Sequence, residues 1–115
     1  MIEIKPNISF EDLDKIDIRV GEIVDVQEVE KSRKLLKLTV DFGDFKRQIL
    51  SAMKGEREDV DEVIGQQALF VVNLEPKEMA GELSEGMLFD IGYASGIIPV
   101  LANPEKPVPN GTIAG

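Results

Sequence analysis

Apolar and polar residues alternate with a period of two through much of the chain, the spacing that puts every second side chain on one face of a strand. Ile16, Ile18 and Val20 alternate with Asp17 and Arg19, and beyond Gly21 the apolar positions continue through Ile23, Val24 and Val26. A glycine inside such a run predicts a bulge or a sharp bend, as at the corner of a small barrel. Leu36, Leu38, Val40 and Phe42 repeat the alternation, Gly43-Asp44 makes a tight turn, and "FKRQILSAM" returns as the hairpin partner. Further on, "ALFVVNL" is a continuous apolar run that predicts a buried strand, and "GMLFDIGYA" predicts another. Between them, "NLEPKEMAGELSEGMLF" (residues 73–89) reads as a turn-rich, mixed polar and apolar loop.

Two stretches change the period. In "NISFEDLDK", Ser9 is placed to cap the amide of Asp12, Asp12 can reach back, and Ile8 and Leu13 occupy staple positions. The predicted helix, over about residues 10–15, is too short to stand alone and is expected to pack against the body. "KGEREDVDEVIG" turns helical at Val60, Val63 and Ile64, with Gly65 as the stop, and the closing "NPEKPVPNGTIAG" is too rich in proline for a helix. The order is helix, three strands, helix, two strands and a C-terminal extension. It predicts an all-β protein, a five-stranded Greek-key barrel of the OB type. One domain is expected over residues 1–115: an N-terminal helical segment (1–15), the barrel (16–94) and the C-terminal extension (95–115).

Composition narrows the chemistry. The chain has 115 residues, enough for a modest core, and no cysteine or histidine. Disulfides, thiolate metal sites, Ser-His-Asp and Cys-His nucleophiles and the usual zinc sites are therefore excluded. The acidic run "EREDVDE" lacks the alternate-ligand spacing and central glycine of a calcium loop and reads as a solvated face. Nothing pairs Glu75, Glu78, Glu82 or Glu85 as an acid and a base. The expectation is a protein with no catalytic residues, no metal and no cofactor. No apolar run of eighteen residues and no signal-peptide pattern occurs, which predicts a soluble, cytoplasmic protein with no membrane partner.

Net charge is −9, unlike a generic nucleic-acid binder, but residues 31–57 hold eight Lys/Arg against three acids. That segment is +5 and the remainder is −14. An OB barrel carries ligands on strands two and three, where Arg33, Lys34, Lys37, Lys46 and Arg47 lie or flank. These cations suit phosphate oxygens, with binding that weakens steeply as salt rises; the alternative is a solvated outer face of an amphipathic hairpin. Five Phe and one Tyr make no stacking stripe, so recognition of structured RNA by shape and backbone fits better than base stacking.

"FEDLDKIDIRVGEI", "KLLKLTVDFG", "VVNLEPKEMAG" and "SEGMLF" resemble successive landmarks of the tRNA-binding domain family, over roughly residues 9–112. Members include the C-terminal extension of bacterial methionyl-tRNA synthetase, free-standing structure-specific tRNA-binding proteins and endothelial monocyte-activating polypeptide II. An export-related chaperone is a relative with a closing segment similar to "PEKPVPNGT". The resemblance implies a two-fold homodimer that binds the outer corner of tRNA by shape, as a non-catalytic accessory. It specifies neither the tRNA nor a synthetase partner. It also implies tRNA-binding positions at Asn73, Lys77, Ser84 and Met87, and Lys34 matches the lysine of "KLLKL".

Lys77 can meet a phosphate, Asn73 and Ser84 can hydrogen-bond backbone or ribose, and Met87 offers an adaptable apolar contact. Gly81 and Gly86 would let the backbone approach closely. Asn73 could instead tie down the loop, and Met87 could belong to the core. "SAMKGEREDVDEVIG" departs from the family by replacing an aromatic with acids, and Glu78, Glu82 and Glu85 stand where cations are expected. Like charge near a phosphate path weakens binding.

A second reading is therefore a chaperone-like dimer that binds unfolded or cationic peptides through Met79, Leu83 and Met87. A third is a structural dimerisation module without an RNA site. For dimerisation, "GIIPVLANPEKPVP", with Ile97, Ile98, Val100 and Leu101, and the N-terminal helix are the expected contributors.

Overall fold

The computed structural model describes residues 3–115. Its strands are β1 (Ile18–Glu28), β2 (Leu36–Asp41), β3 (Lys46–Ser51), β4 (Gln67–Val71), β5 (Lys77–Met79), β6 (Glu82–Ser84) and β7 (Met87–Leu88). The order β3–β2–β1–β4–β7, antiparallel throughout, makes a nearly closed five-stranded barrel, and β5 and β6 form a separate hairpin. This is the all-β OB-like barrel that the alternation predicts.

The predicted inward positions of β2 are all buried: Leu36, Leu38, Val40 and, just beyond the strand, Phe42. They meet Ile23, Ile49, Phe70 and Val63, and the Phe42 ring packs edge-on against Phe70 with centroids 5.5 Å apart. Gly21 serves this core rather than a bulge. It pairs with Ala68 in regular register, and a Cβ there would lie 2.5 Å from Val40 Cγ1 and 2.7 Å from Phe42 Cε1. The register shift falls further along, between Ile23 and Asp25, where β1 leaves β4 and continues along β2.

β3 and β7 stand at the two ends of the strand order, and their seam is closed largely by side chains. The β3 edge donates from Leu50 N–H to Ser84 Oγ (3.0 Å) and from Gln48 N–H to Glu85 Oε1 (3.0 Å). In return Glu85 N–H donates to the Gln48 carbonyl at 2.8 Å. Pairing an edge in this way removes a row of unsatisfied groups that would otherwise invite another chain.

The C-terminal segment takes up the remaining edge of β1. Val20 N–H donates to the Thr112 carbonyl (2.8 Å), Gly111 N–H to the Val20 carbonyl (2.7 Å) and Ala114 N–H to the Ile18 carbonyl (2.9 Å). Ile91 and Val100 form a bridge of their own.

The helical expectations shrink. Ser9 caps Asp12 as predicted, at 3.1 Å, but α1 spans only Phe10–Leu13 and buries no residue. Asp12 does not reach back; its carboxylate takes Lys15 Nζ at 3.1 Å. Phe10 is 84% exposed, so this arm stands off the barrel rather than packing on it. The second helix is a 3-10 turn, Val60–Val63, capped by Asp59, with Val63 alone of its four residues buried.

Candidate nucleic-acid interface

The stretch read as a loop contains a second hairpin. Lys77 pairs with Ser84, Glu78 with Leu83 and Met79 with Glu82. Its two-residue turn, Ala80-Gly81, has φ of 51° and 81°. Two left-handed residues are what the tightest hairpin turn demands, and Gly81 supplies one without strain. The period of two then turns Lys77, Met79, Glu82 and Ser84 toward the barrel and leaves Glu78 and Leu83 outside.

Under this hairpin lies a cleft of about 640 Å³ whose lining includes Asn73, Leu74, Lys77, Met79, Ser84 and Met87. All four positions singled out by resemblance thus face one cavity. Their freedom differs. The Asn73 side chain accepts from Asp17 N–H (2.8 Å) and donates to the Lys15 carbonyl (2.6 Å), tying the root of the N-terminal arm to the end of β4. Ser84 is buried; its hydroxyl accepts from Leu50 N–H and donates to the Gly86 carbonyl (3.0 Å). Lys77 is exposed, with no carboxylate in ion-pair reach among the described residues. Met87 is 44% exposed rather than in the core.

The basic segment divides in two. Lys37 pairs with Glu82 (3.3 Å), Lys54 with Glu28 (3.6 Å) and Arg57 with Glu62 (3.0 Å). Arg47 donates to the carbonyls of Val72 (3.1 Å) and Glu85 (2.9 Å), and its guanidinium lies 4.9 Å from the centre of the Phe45 ring. Lys31, Arg33, Lys34 and Lys46 are exposed and make no ion pair among the described residues. The first three share the β1–β2 connection, whose backbone is shaped by Ser32 Oγ accepting from Lys34 N–H (3.2 Å) and Leu35 N–H (3.0 Å). Lys31 was not among the predicted site residues. Its ammonium lies near the hairpin turn, 3.7 Å from where a Gly81 Cβ would be.

A second cavity, of about 340 Å³, shares Leu50, Met79 and Met87 with the cleft and extends past Met53 to Tyr93 and Val100. Glu56, Arg57 and Asp90 also line it. Burial pushes the Glu56 carboxyl above its ordinary range, with Asp90 adding to the shift and Arg57 opposing it. Arg57 Nε is buried there without a hydrogen-bond partner. At the arm's root, the bond from Arg19 (2.9 Å) holds the Asp17 carboxyl below its ordinary range, with burial opposing it. Among the described residues no cluster of His, Cys, Asp or Glu is arranged to hold a metal ion. No helix among them is long and apolar enough to cross a membrane.

A family model described as "Putative tRNA binding domain" matches residues 18–113. The chain belongs to the tRNA-binding domain family. The methionine–tRNA ligase of Methanocaldococcus jannaschii is 48% identical over 89 residues, covering 77% of this chain and 14% of the ligase. The chain therefore corresponds to a small part of that enzyme.

Among solved structures, a MetRS related protein from Pyrococcus horikoshii superimposes with a TM-score of 0.87 at 29% identity, covering 96% of this chain and 100% of that one. The chaperone CsaA of Bacillus anthracis does so with a TM-score of 0.82 at 32% identity, again over 96% and 100%.

Proposed function

We propose that this domain is a non-catalytic, cytoplasmic tRNA-binding module, acting as a homodimer that recognises the outer corner of folded tRNA by shape. The observation that carries the reading is the convergence of Asn73, Lys77, Ser84 and Met87 on one cleft beneath the β5–β6 hairpin. Lys77 and, on the β1–β2 connection, Arg33 and Lys34 are the side chains free to meet phosphates, with Lys46 at the start of β3. Met87 and Leu74 offer apolar contact to an exposed base or sugar. Asn73, Ser84 and Arg47 act chiefly by holding that surface in shape, since each is already engaged within the fold, and Lys37 is occupied by its pair with Glu82.

The homodimer is supported by apolar surface that the monomer leaves open. Ile97, Ile98, Val100 and Tyr93 are exposed near the C-terminal extension, and Ile8, Phe10 and Leu13 are exposed on the arm.

Titration of the protein with unfractionated tRNA, followed by fluorescence anisotropy at low and physiological salt, tests the reading. Binding that weakens steeply with salt is expected, and reversal of Lys34 or Lys77 to Glu should cost roughly tenfold each at low salt. No binding at low salt would overturn it.

The cavity between Met53 and Val100, together with the likeness to a chaperone, favours a second reading, a peptide-docking domain with Glu56 and Asp90 facing a cationic side chain. Saturable binding of basic, apolar peptides that tRNA does not compete away would select it.

A further inference from the structure

The acids of the β5–β6 hairpin look misplaced beside a nucleic-acid surface, and Glu82 is the one whose position can be read closely. It faces the barrel from β6, opposite Met79. One carboxylate oxygen lies 3.3 Å from Lys37 Nζ and the other 3.3 Å from Gln48 Nε2. Lys37 and Gln48 sit on the outer faces of β2 and β3, so this single carboxylate spans the strands on which an OB barrel binds its ligands. Gly81 and Glu82 are consecutive, so Lys31 and Lys37 approach the same end of the hairpin. Of these two ammonium groups, among the described residues, Lys37 has a carboxylate partner and Lys31 has none.

This ion pair is only partly buried, its Lys37 and Glu82 side chains 24% and 37% exposed, so it contributes modestly to folding. Its effect on an incoming polyanion is larger, because the carboxylate repels phosphate and competes for the same lysine.

We infer that Glu82 is an affinity-limiting residue for RNA binding: an internal counter-ion that keeps Lys37 from phosphate and so lowers affinity for the polyanion. The inference rests on the tRNA-binding reading. Removing the charge while keeping the length of the side chain frees Lys37 to join Lys31 beside the hairpin turn.

The test is a salt series of tRNA titrations by anisotropy with the wild-type protein, Glu82→Gln, Lys37→Gln and the double variant. Glu82→Gln should bind about threefold to tenfold tighter at low salt. Its plot of log affinity against log salt should steepen by about 0.7 to 0.9, one further phosphate contact. In the Lys37→Gln background the gain should largely vanish, which a merely local structural change would not produce. Wild-type binding without a gain in Glu82→Gln would overturn the inference and leave the tRNA reading standing. So would an equal gain in both backgrounds with an unchanged slope, because the carboxylate would then act only through overall charge. If none of the four proteins binds tRNA at low salt, the tRNA reading itself falls and the inference falls with it.

Discussion

Residues 31–57 hold eight of the thirteen Lys and Arg residues, whereas residues 73–87 hold one lysine and four glutamates. By charge alone, the first region is the one to bind a polyanion and the second the one to repel it. Folding redistributes those charges. Lys37, Lys54 and Arg57 are taken by carboxylates and Arg47 by two carbonyls, which leaves a smaller basic surface concentrated on the β1–β2 connection. In the acidic region Glu82 and Glu85 are turned onto β2 and β3, while Lys77 remains free at the mouth of a cleft. The two regions are therefore parts of one surface, joined by Glu82, Ser84 and Glu85. Charge counted along a sequence predicts the field at a site only after internal pairs are subtracted.

That joint is the place where the comparison can be broken most severely. Ser84→Ala removes the acceptor of the buried Leu50 N–H and the donor to the Gly86 carbonyl. The expected cost is about 1–3 kcal/mol, read as a lower urea midpoint. If Ser84 served RNA and not the seam, the midpoint would stay put and tRNA affinity alone would drop. Ser84→Thr, which keeps the hydroxyl, should recover most of the stability.

The difference between the regions also explains what the sequence made legible. The barrel could be read because Leu36, Leu38, Val40 and Phe42 alternate without exception and each points into the core. Gly21 carried a weaker signal: a glycine in a strand marks either a bulge or a close neighbour, and only the fold shows Val40 and Phe42 packed over it. The β5–β6 hairpin was hidden because its strands are three residues each, and its turn is Ala-Gly rather than Asn-Gly or Asp-Gly. The fate of the basic residues could not be read either. Lys37 meets Glu82 and Arg47 meets Val72 across separations of 45 and 25 residues, contacts that have no local pattern. Lys31 stands in the same basic run as Lys34 with no local feature to set it apart, and its proximity to Gly81 is a tertiary fact.

A milder change tests whether the cleft is coupled to the arm. Among the described residues, Asn73 is the one candidate site residue bonded to the N-terminal segment and its root, through the Lys15 carbonyl and Asp17 N–H. Asn73→Ala should cost about 0.5–1.5 kcal/mol. It should also speed amide exchange selectively in residues 10–17, measured by hydrogen–deuterium exchange with mass spectrometry. Faster exchange in the arm with β3 protected would place Asn73 with the arm. Uniform loosening would tie it to the β3–β7 seam instead.

The smallest expected effect concerns the second cavity. Burial raises the Glu56 carboxyl above its ordinary range, so the folded chain holds that proton more tightly than the unfolded chain does. Its contribution is therefore present below the ordinary carboxylate pKa and is lost as pH rises through the raised value. At neutral pH the ionised Glu56 is a slight burden. Glu56→Gln should raise Tm at pH 7 by about 1–2 °C, with the gain disappearing below about pH 4. Asp17 runs the other way: its lowered carboxyl supports the fold above the ordinary range, and that support is lost as pH falls through the lowered value. A cationic peptide seated beside Glu56 and Asp90 would reverse the Glu56 shift, so its affinity should fall on acidification through the raised pKa and lose that pH dependence in Glu56→Gln. Binding of tRNA on the other side of Met79 and Met87 should show no such dependence, and melts and titrations across pH 4–8 would tell the two surfaces apart.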